Sequence, residues 1–326
     1  QDLNQLVRDT LDEVTGYGPL EPLLADPRIN DILVNGPDSV FIEVAGVLQK
    51  ASVRFINDDH VVRVIRRMLA PLGRRLDESS PMVDARLPDG SRVNAIIPPL
   101  ALDGPSISIR KFTRHHLGAQ ELIDSGSLTE ACLDTMVKAV ESRRNIIISG
   151  GTGTGKTTML NLISQYIPRQ ERILTIEDSA ELVLNHPHVV RLETRPANTE
   201  GKGRISAREL VINALRMRPD RIILGEVRSN EIIELLQAMN TGHDGSMSTI
   251  HANSTRDALV RIETLLAVSG YEASETAIGR LIGSALDIII QLERLPDGRR
   301  RVSEVVALTP TEHDLYHMDY LYRSQT

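Results

Sequence analysis

The run Gly150-Gly151-Thr152-Gly153-Thr154-Gly155-Lys156-Thr157 has the residue types and spacing to grip a phosphate chain. Glycines let successive backbone N–H groups converge on phosphate oxygens, and a helix opening at the lysine adds the positive end of its dipole. The pattern G-x4-G-K-[ST] also gives two side chains a task. The Lys156 ammonium reaches the β- and γ-phosphates of ATP, and the Thr157 hydroxyl ligates Mg2+. Gly151, Thr152, Gly153, Thr154, Gly155, Lys156, Thr157 and Thr158 are therefore the expected nucleotide-binding residues.

Phosphoryl transfer further needs a carboxylate where a strand ends beside that loop, to hold the metal or orient water. Two places qualify. Ile222-Ile223-Leu224-Gly225-Glu226 is an apolar run ending in an acid, and Glu226 is the choice for polarising the attacking water. Ile173-Leu174-Thr175-Ile176-Glu177-Asp178 is a second such run, so Glu177 and Glu226 join Thr157 as expected metal ligands and Glu177 joins the catalytic set. His251 closes a short run, Ser248-Thr249-Ile250, from which an imidazole can donate to the γ-phosphate and report which nucleotide is bound. The plain alternative is an ordinary buried histidine.

These groups need strands that bring them to one edge. Asn145–Ser149 reads as a buried strand ahead of the glycine loop, and Met159, Leu160, Ile163 and Ile167 form a helical stripe behind it, stopped by Pro168. Helices then alternate with short apolar runs at Ile173–Ile176, Val189–Leu192, Ile222–Leu224, Ser246–Ile250 and Ile288–Leu292. Such alternation predicts an α/β fold with a parallel sheet and ligands at the carboxyl ends of its strands, over residues 127–326. Tyr316, Met318, Tyr320 and Tyr322 alternate as a terminal edge strand.

Residues 1–110 read differently, as a smaller α+β domain. An amphipathic helix (Leu3, Leu6, Val7, Leu11, Val14) and a short helical piece precede strands at Ile29–Val34, Val40–Val44 and Val47–Val53. Asp58 or Asp59 is expected to cap a helix carrying Val61, Val62, Ile65, Met68 and Leu69, followed by strands at Ala85–Leu87, Arg92–Ile97 and Ser106–Arg110. Residues 111–126, polar and containing Arg114-His115-His116, are expected to be a linker.

Length and composition set the outer limits. At 326 residues, two domains are expected. Hydrophobic residues at 41% and charged residues at 25% exclude fibrous and disordered classes. Three Phe, six Tyr and no Trp leave little for base-stacking platforms, and a net charge of −7 with no basic arm argues against nucleic acid as a direct partner. Cys132 is the only cysteine, which rules out intrachain disulfides and fits a reducing compartment. The longest uncharged stretch, Asn145–Gly155, falls far short of the ~20 apolar residues of a membrane span, and no signal peptide is visible. The chain opens on Gln1 rather than Met, so residues upstream of it are expected.

Taken in order, Gly150–Thr157, Ile173–Asp178, Arg218–Glu226 and Gly242–His251 resemble the Walker A, aspartate box, Walker B and histidine box of the secretion ATPases, which drive type II secretion, type IV pili and type IV secretion. Gly18–Leu24, Ile32–Gly36, Pro88–Asn94 and Thr194–Asn198 are similar to the CpaF branch, which powers tight-adherence (Flp) pili. The four-cysteine zinc module held by many type II secretion and pilus-extension members is excluded by the single Cys132.

The resemblance implies a RecA-like P-loop ATPase domain behind the smaller N-terminal domain, assembled as a homohexamer. It would use ATP and Mg2+ in the cytoplasm, at the inner face of the inner membrane, held there through pilus platform proteins. Arg92 and Arg110 lie where the family carries arginines that swing onto the phosphates, and a guanidinium there would stabilise charge on the departing phosphoryl group. For each, a surface arginine on a strand is the plain alternative, and Arg195 and Arg228 are candidates for touching a neighbouring subunit's nucleotide. The competing readings are a type IV secretion motor exporting protein or DNA, a nucleotide-gated scaffold with little turnover, and a RecA-type nucleic-acid motor. His115-His116, His186-Pro-His188 and the arginines at 63, 66, 67, 74 and 75 read as solvated surface features.

Overall fold

The structure is a computed structural model describing residues 3–44, 46–112, 117–197, 201–311 and 316–324. The chain divides into two compact units, Gln1–Arg114 and His115–Thr326. His115 and His116 lie outside the described residues.

The first unit begins with helices α1 (Leu3–Thr15) and α2 (Glu21–Ala25). Strands β1 (Ile29–Asn35), β2 (Val40–Val44) and β3 (Val47–Lys50) follow, then helix α3 (Asp58–Leu69) and strands β4 (Met82–Arg86), β5 (Arg92–Ile96) and β6 (Ser106–Arg110). The strands form one antiparallel sheet in the order β3-β2-β1-β6-β5-β4. Its core joins Ile32, Val34, Val93, Ile107 and Ile109 to the buried α3 face of Val61, Val64, Ile65, Met68 and Leu69. The cap of α3 is Asn57, not Asp58 or Asp59: its side chain accepts from the His60 N–H at 2.9 Å, and both aspartates sit in the first turn, where they favour the helix dipole. The apolar side chains Val7, Leu11 and Val14 of α1 are exposed. Of the arginine cluster, Arg66 and Arg67 are structural, donating to the carbonyls of Leu76 and of Glu13 and Gly16.

The second unit begins with α4 (Ala119–Asp124), inside the stretch expected to be a linker. Leu122 of α4 is buried in the same core as α5 (Glu130–Glu141), so hydrophobic burial holds this polar-looking segment on the unit. Cys132, on α5, is buried, and burial pushes its thiol up to about 12. The remaining helices are α6 (Lys156–Ser164), α7 (Ala207–Ala214), α8 (Glu231–Asn240), α9 (Thr255–Val268) and α10 (Glu275–Ala285). The strands are β7 (Ile146–Gly150), β8 (Ile173–Glu177), β9 (Val189–Glu193), β10 (Arg221–Val227), β11 (Met247–His251), β12 (Ile288–Arg294), β13 (Arg300–Thr309) and β14 (His317–Arg323). They pair in the order β14-β13-β12-β7-β11-β10-β8-β9.

From β12 to β9 the pairing is parallel, whereas β13 and β14 add on antiparallel. β14 is the edge strand that the tyrosine alternation predicts, but β13, whose first residues are basic, is not among the expected strands. Ile146, Ile147 and Ile148 of β7 are all fully buried, as a strand covered on both faces requires. β10 is anchored at its start by the buried Arg221, whose Nε and Nη2 donate to the two Glu171 oxygens at 2.6 and 3.0 Å. Gly245, at φ +86°, leaves room for that guanidinium: a Cβ there would lie 2.8 Å from Nη1. This anchor fixes the register of the strand that carries Glu226.

Candidate active site

The loop from β7 to α6 holds Gly150–Gly155. Gly153 and Gly155 take φ of +72° and +95°, a left-handed backbone open to glycine at little cost. Thr154 Oγ1 and Lys156 Nζ both donate to the Gly151 carbonyl, at 2.9 and 3.0 Å. The lysine thus folds back over the loop at the first turn of α6. Burial lowers the pKa of Lys156; Glu226 opposes that shift and Arg228 adds to it, so both groups act on the ammonium despite their distance in sequence.

The carboxyl ends of β7, β11, β10 and β8 stand in a row. His251, at the end of β11, pairs with Gly150 and is exposed, not the ordinary buried histidine of the plain alternative. Thr249 Oγ1, on the same strand, donates to the Gly225 carbonyl at 2.7 Å, which ties β11 to the turn carrying Glu226. Glu226 Oε2 accepts from Arg228 Nε at 2.5 Å, and Arg228 Nη1 reaches Asp178 Oδ2 at 3.2 Å. Burial works against the charge on Arg228, yet pairing with Glu226 and Asp178 raises its pKa. Arg228 therefore faces two acids of its own chain. Glu231 Oε1 accepts from the Arg228 and Ser229 backbone N–H groups, fixing the turn after the strand.

Glu177 is turned inward and only 4% exposed. Its Oε1 accepts from the N–H groups of Glu181 and Leu182 at 2.9 and 3.0 Å, while Oε2 is buried with no hydrogen-bond partner. Burial raises its pKa more than those two donors lower it. Gly225 makes the fit possible, since a Cβ there would lie 2.9 Å from Glu177 Cγ. Strands are spaced by ~4.8 Å, so β8, three places from β7, lies roughly 14 Å away and β10 roughly 10 Å. Glu226 is the nearer acid to the loop, and Glu177 lies one strand beyond it.

No group of three or more His, Cys, Asp or Glu able to hold a metal occurs among the described residues. Mg2+ needs no such group, since it keeps several waters and takes one or two protein oxygens beside substrate phosphates. The Thr157 hydroxyl, at the start of α6, and the Glu226 carboxylate supply such hard donors, and Glu177 is a second carboxylate, whose buried Oε2 has no hydrogen-bond donor. His186 and His188 hold other contacts, to the Pro168 carbonyl and to Arg172.

In the first unit, Arg92 and Arg110 stand opposite each other on β5 and β6. With Asp31 and Asp84 they line a cleft of about 290 Å3. Arg92 Nη2 is 3.6 Å from Asp84 Oδ2, and Arg110 Nε is 3.4 Å from Asp31 Oδ1. Arg195 donates to the Gly203 carbonyl at 2.6 Å. Sequence reading passed over Arg294 and Arg300, which the β12–β13 pairing brings against the glycine loop.

Among relatives, a putative conjugal transfer protein of Mycobacterium tuberculosis is 38% identical over 306 residues, covering 92% of this chain and 86% of its own length. The type IV secretion system protein VirB11 of Brucella suis is 31% identical over 319 residues, covering 88% of each. A solved structure of the pilus retraction motor PilT with bound ADP superposes with a TM-score of 0.66 at 21% identity, covering 96% of this chain and 84% of that one. The ATPase DotB of Legionella pneumophila gives 0.63 at 22%, covering 87% and 78%; at these identities both show the fold, a two-domain α/β secretion-ATPase fold. Residues 13–306 match the family described as type II/IV secretion system protein, and the chain belongs to that family of secretion ATPases.

Proposed function

We propose that this chain is an ATP-hydrolysing motor that powers the assembly of tight-adherence type IV pili. The observation that carries the ATPase reading is the electrostatic grouping of Lys156, Glu226 and Arg228 around a complete phosphate-gripping loop. Backbone N–H groups of residues 151–156 and the Lys156 ammonium bind the phosphates, and Glu226 orients water for in-line attack. Thr157 and Glu226, with Glu177 behind them, hold Mg2+, which when bound neutralises charge developing on the phosphoryl oxygens. Lys156 must release the Gly151 carbonyl to reach a phosphate, and Glu226 must yield part of its hold on Arg228 to turn toward water. His251, exposed beside Gly150, reports on the γ-phosphate.

In this reading Arg92 and Arg110 leave Asp84 and Asp31 to stabilise the departing phosphoryl group as the N-terminal unit closes, and phosphate release reopens it. The active form is a homohexamer on the cytoplasmic face of the inner membrane, held there by platform proteins. Among the described residues no helix is long and apolar enough to cross a membrane. Steady-state phosphate release tests the reading: turnover by the parent, lost in Lys156→Ala and Glu226→Gln, supports it. A parent without turnover leaves the nucleotide-gated scaffold, and stimulation by single-stranded DNA points to a nucleic-acid motor.

A type IV secretion export motor is the second reading, favoured by relatives named as conjugal transfer and VirB11 proteins. Complementation separates the two: restored pili support the first, restored export the second.

A further inference from the structure

The second unit places two arginines beside the phosphate-gripping loop that the roles above leave unused. β12 runs parallel to β7 with Leu292 opposite Gly150, so the next residues of β12 extend past the strand end toward the loop. A Cβ on Gly153 would lie 4.0 Å from Arg294 Nη1, and one on Gly155 would lie 3.8 Å from Arg300 Cδ. Arg294 and Arg300 are directly opposed across the β12–β13 pair, and both are exposed.

Two guanidiniums facing each other on a strand pair repel, and sheets usually relieve this with a nearby acid. The local acids are taken: Glu293 Oε1 accepts from Arg301 Nε at 2.6 Å, and Asp297 Oδ2 from Arg299 Nε at 2.7 Å. Among the described residues Arg294 and Arg300 have no ion pair or side-chain hydrogen bond. An anion at the loop would relieve the repulsion and supply an acceptor to both.

The position along the loop says which anion. Backbone groups of such a loop cradle the α- and β-phosphates, while the lysine and the acid after the strand serve the γ end. Gly153 and Gly155 precede Lys156, on the side of the diphosphate. Resting on the nucleotide reading above, the geometry points to Arg294 and Arg300 as binding residues for the α- and β-phosphates, shared by ATP and ADP. They set how tightly product is held, apart from the γ-phosphate chemistry of Glu226.

Titration calorimetry with Mg-ADP on the full chain tests this. Arg294→Gln and Arg300→Gln are each expected to weaken ADP about tenfold, the worth of one charged hydrogen bond, and to raise the KM for ATP by the same factor. Arg299→Gln, which removes an arginine already paired with Asp297, is the control that binds ADP as the parent does. Arg294→Lys or Arg300→Lys should recover part of the loss, and melting curves report whether each variant is folded. ADP affinity kept in the Arg294→Gln/Arg300→Gln double variant overturns the inference, and so does a loss for ATP without one for ADP. A parent that takes up no ADP defeats the nucleotide reading itself.

Discussion

Arg228, the first residue past the end of β10, donates from Nε to Glu226 Oε2 at 2.5 Å, two residues back along the chain. The guanidinium also reaches Asp178, so it keeps a partner if Glu226 loses its charge. Glu226→Gln is accordingly expected to fold and still bind ADP through the glycine loop, with the Mg2+ contribution to binding weakened, while kcat falls by about 100-fold or more, the usual worth of a positioned base. Phosphate release and ADP titration on one preparation check it, and parental turnover in the variant would remove Glu226 from the mechanism.

Lys156 bears a second prediction, on pH. Burial lowers its pKa, so its ammonium loses the proton at a lower pH than an exposed lysine does. Nucleotide affinity should decline on the alkaline side as Lys156 becomes neutral, and Lys156→Arg should flatten that limb, since a guanidinium stays charged. An alkaline limb that is the same in both proteins refutes this.

Glu177 and Gly225 are coupled through space. A methyl group at Gly225 would meet Glu177 Cγ at 2.9 Å, so Gly225→Ala should cost about 1–3 kcal/mol by overpacking. Thermal melting reads this as a drop of about 2–4 °C per kcal/mol. Shortening the acid in Gly225→Ala/Glu177→Ala should return part of the loss.

The raised pKa of Glu177 has a definite sign in stability. Folding favours the protonated form, so the group's contribution is greatest below the ordinary carboxylate pKa and declines as pH rises through the higher folded value. Glu177→Gln removes that titration, so its melting temperature should gain on the parent's between pH 5 and pH 8. A constant difference across that range would mean that burial is not what sets the ionisation of Glu177.

Arg92 and Arg110 are both substantially exposed, with side chains 43% and 70% accessible and loose contacts to Asp84 and Asp31. Exposed pairs of this kind contribute about 0–1 kcal/mol, so Arg92→Ala and Arg110→Ala should melt like the parent. If they stabilise the departing phosphoryl group, kcat falls by about a thousandfold or more. Parental turnover in both variants would leave them as surface arginines.

The chemistry was more legible in the sequence than the supports around it. The glycine loop, Lys156, Thr157 and Glu226 are contiguous in short motifs, and motif spacing is a local property. Strands β7, β8, β10 and β12 showed because each is largely a run of apolar residues buried on both faces. β13 did not, since its opening Arg300-Arg301 looks like surface loop until pairing with β12 gives each arginine an opposite number. Helix α4 was masked by polar neighbours, with Leu122 as its one buried anchor. The cap Asn57 was hidden by two adjacent aspartates equally suited to the task. The inward turn of Glu177 depends on Gly225, a neighbour only across β8 and β10, and the approach of Arg294 to Gly153 depends on strand order. Neither can be read from spacing along the chain.

The seclusion of Cys132 on α5 has a practical side. Thiol-directed dyes are attacked by the deprotonated sulfur, and this one is both walled in and, with its pKa pushed up to about 12, almost wholly protonated at neutral pH. A cysteine engineered onto an exposed position would then be the one fast-reacting handle on the protein. A fluorophore or spin label placed there could follow nucleotide binding without first stripping the natural thiol.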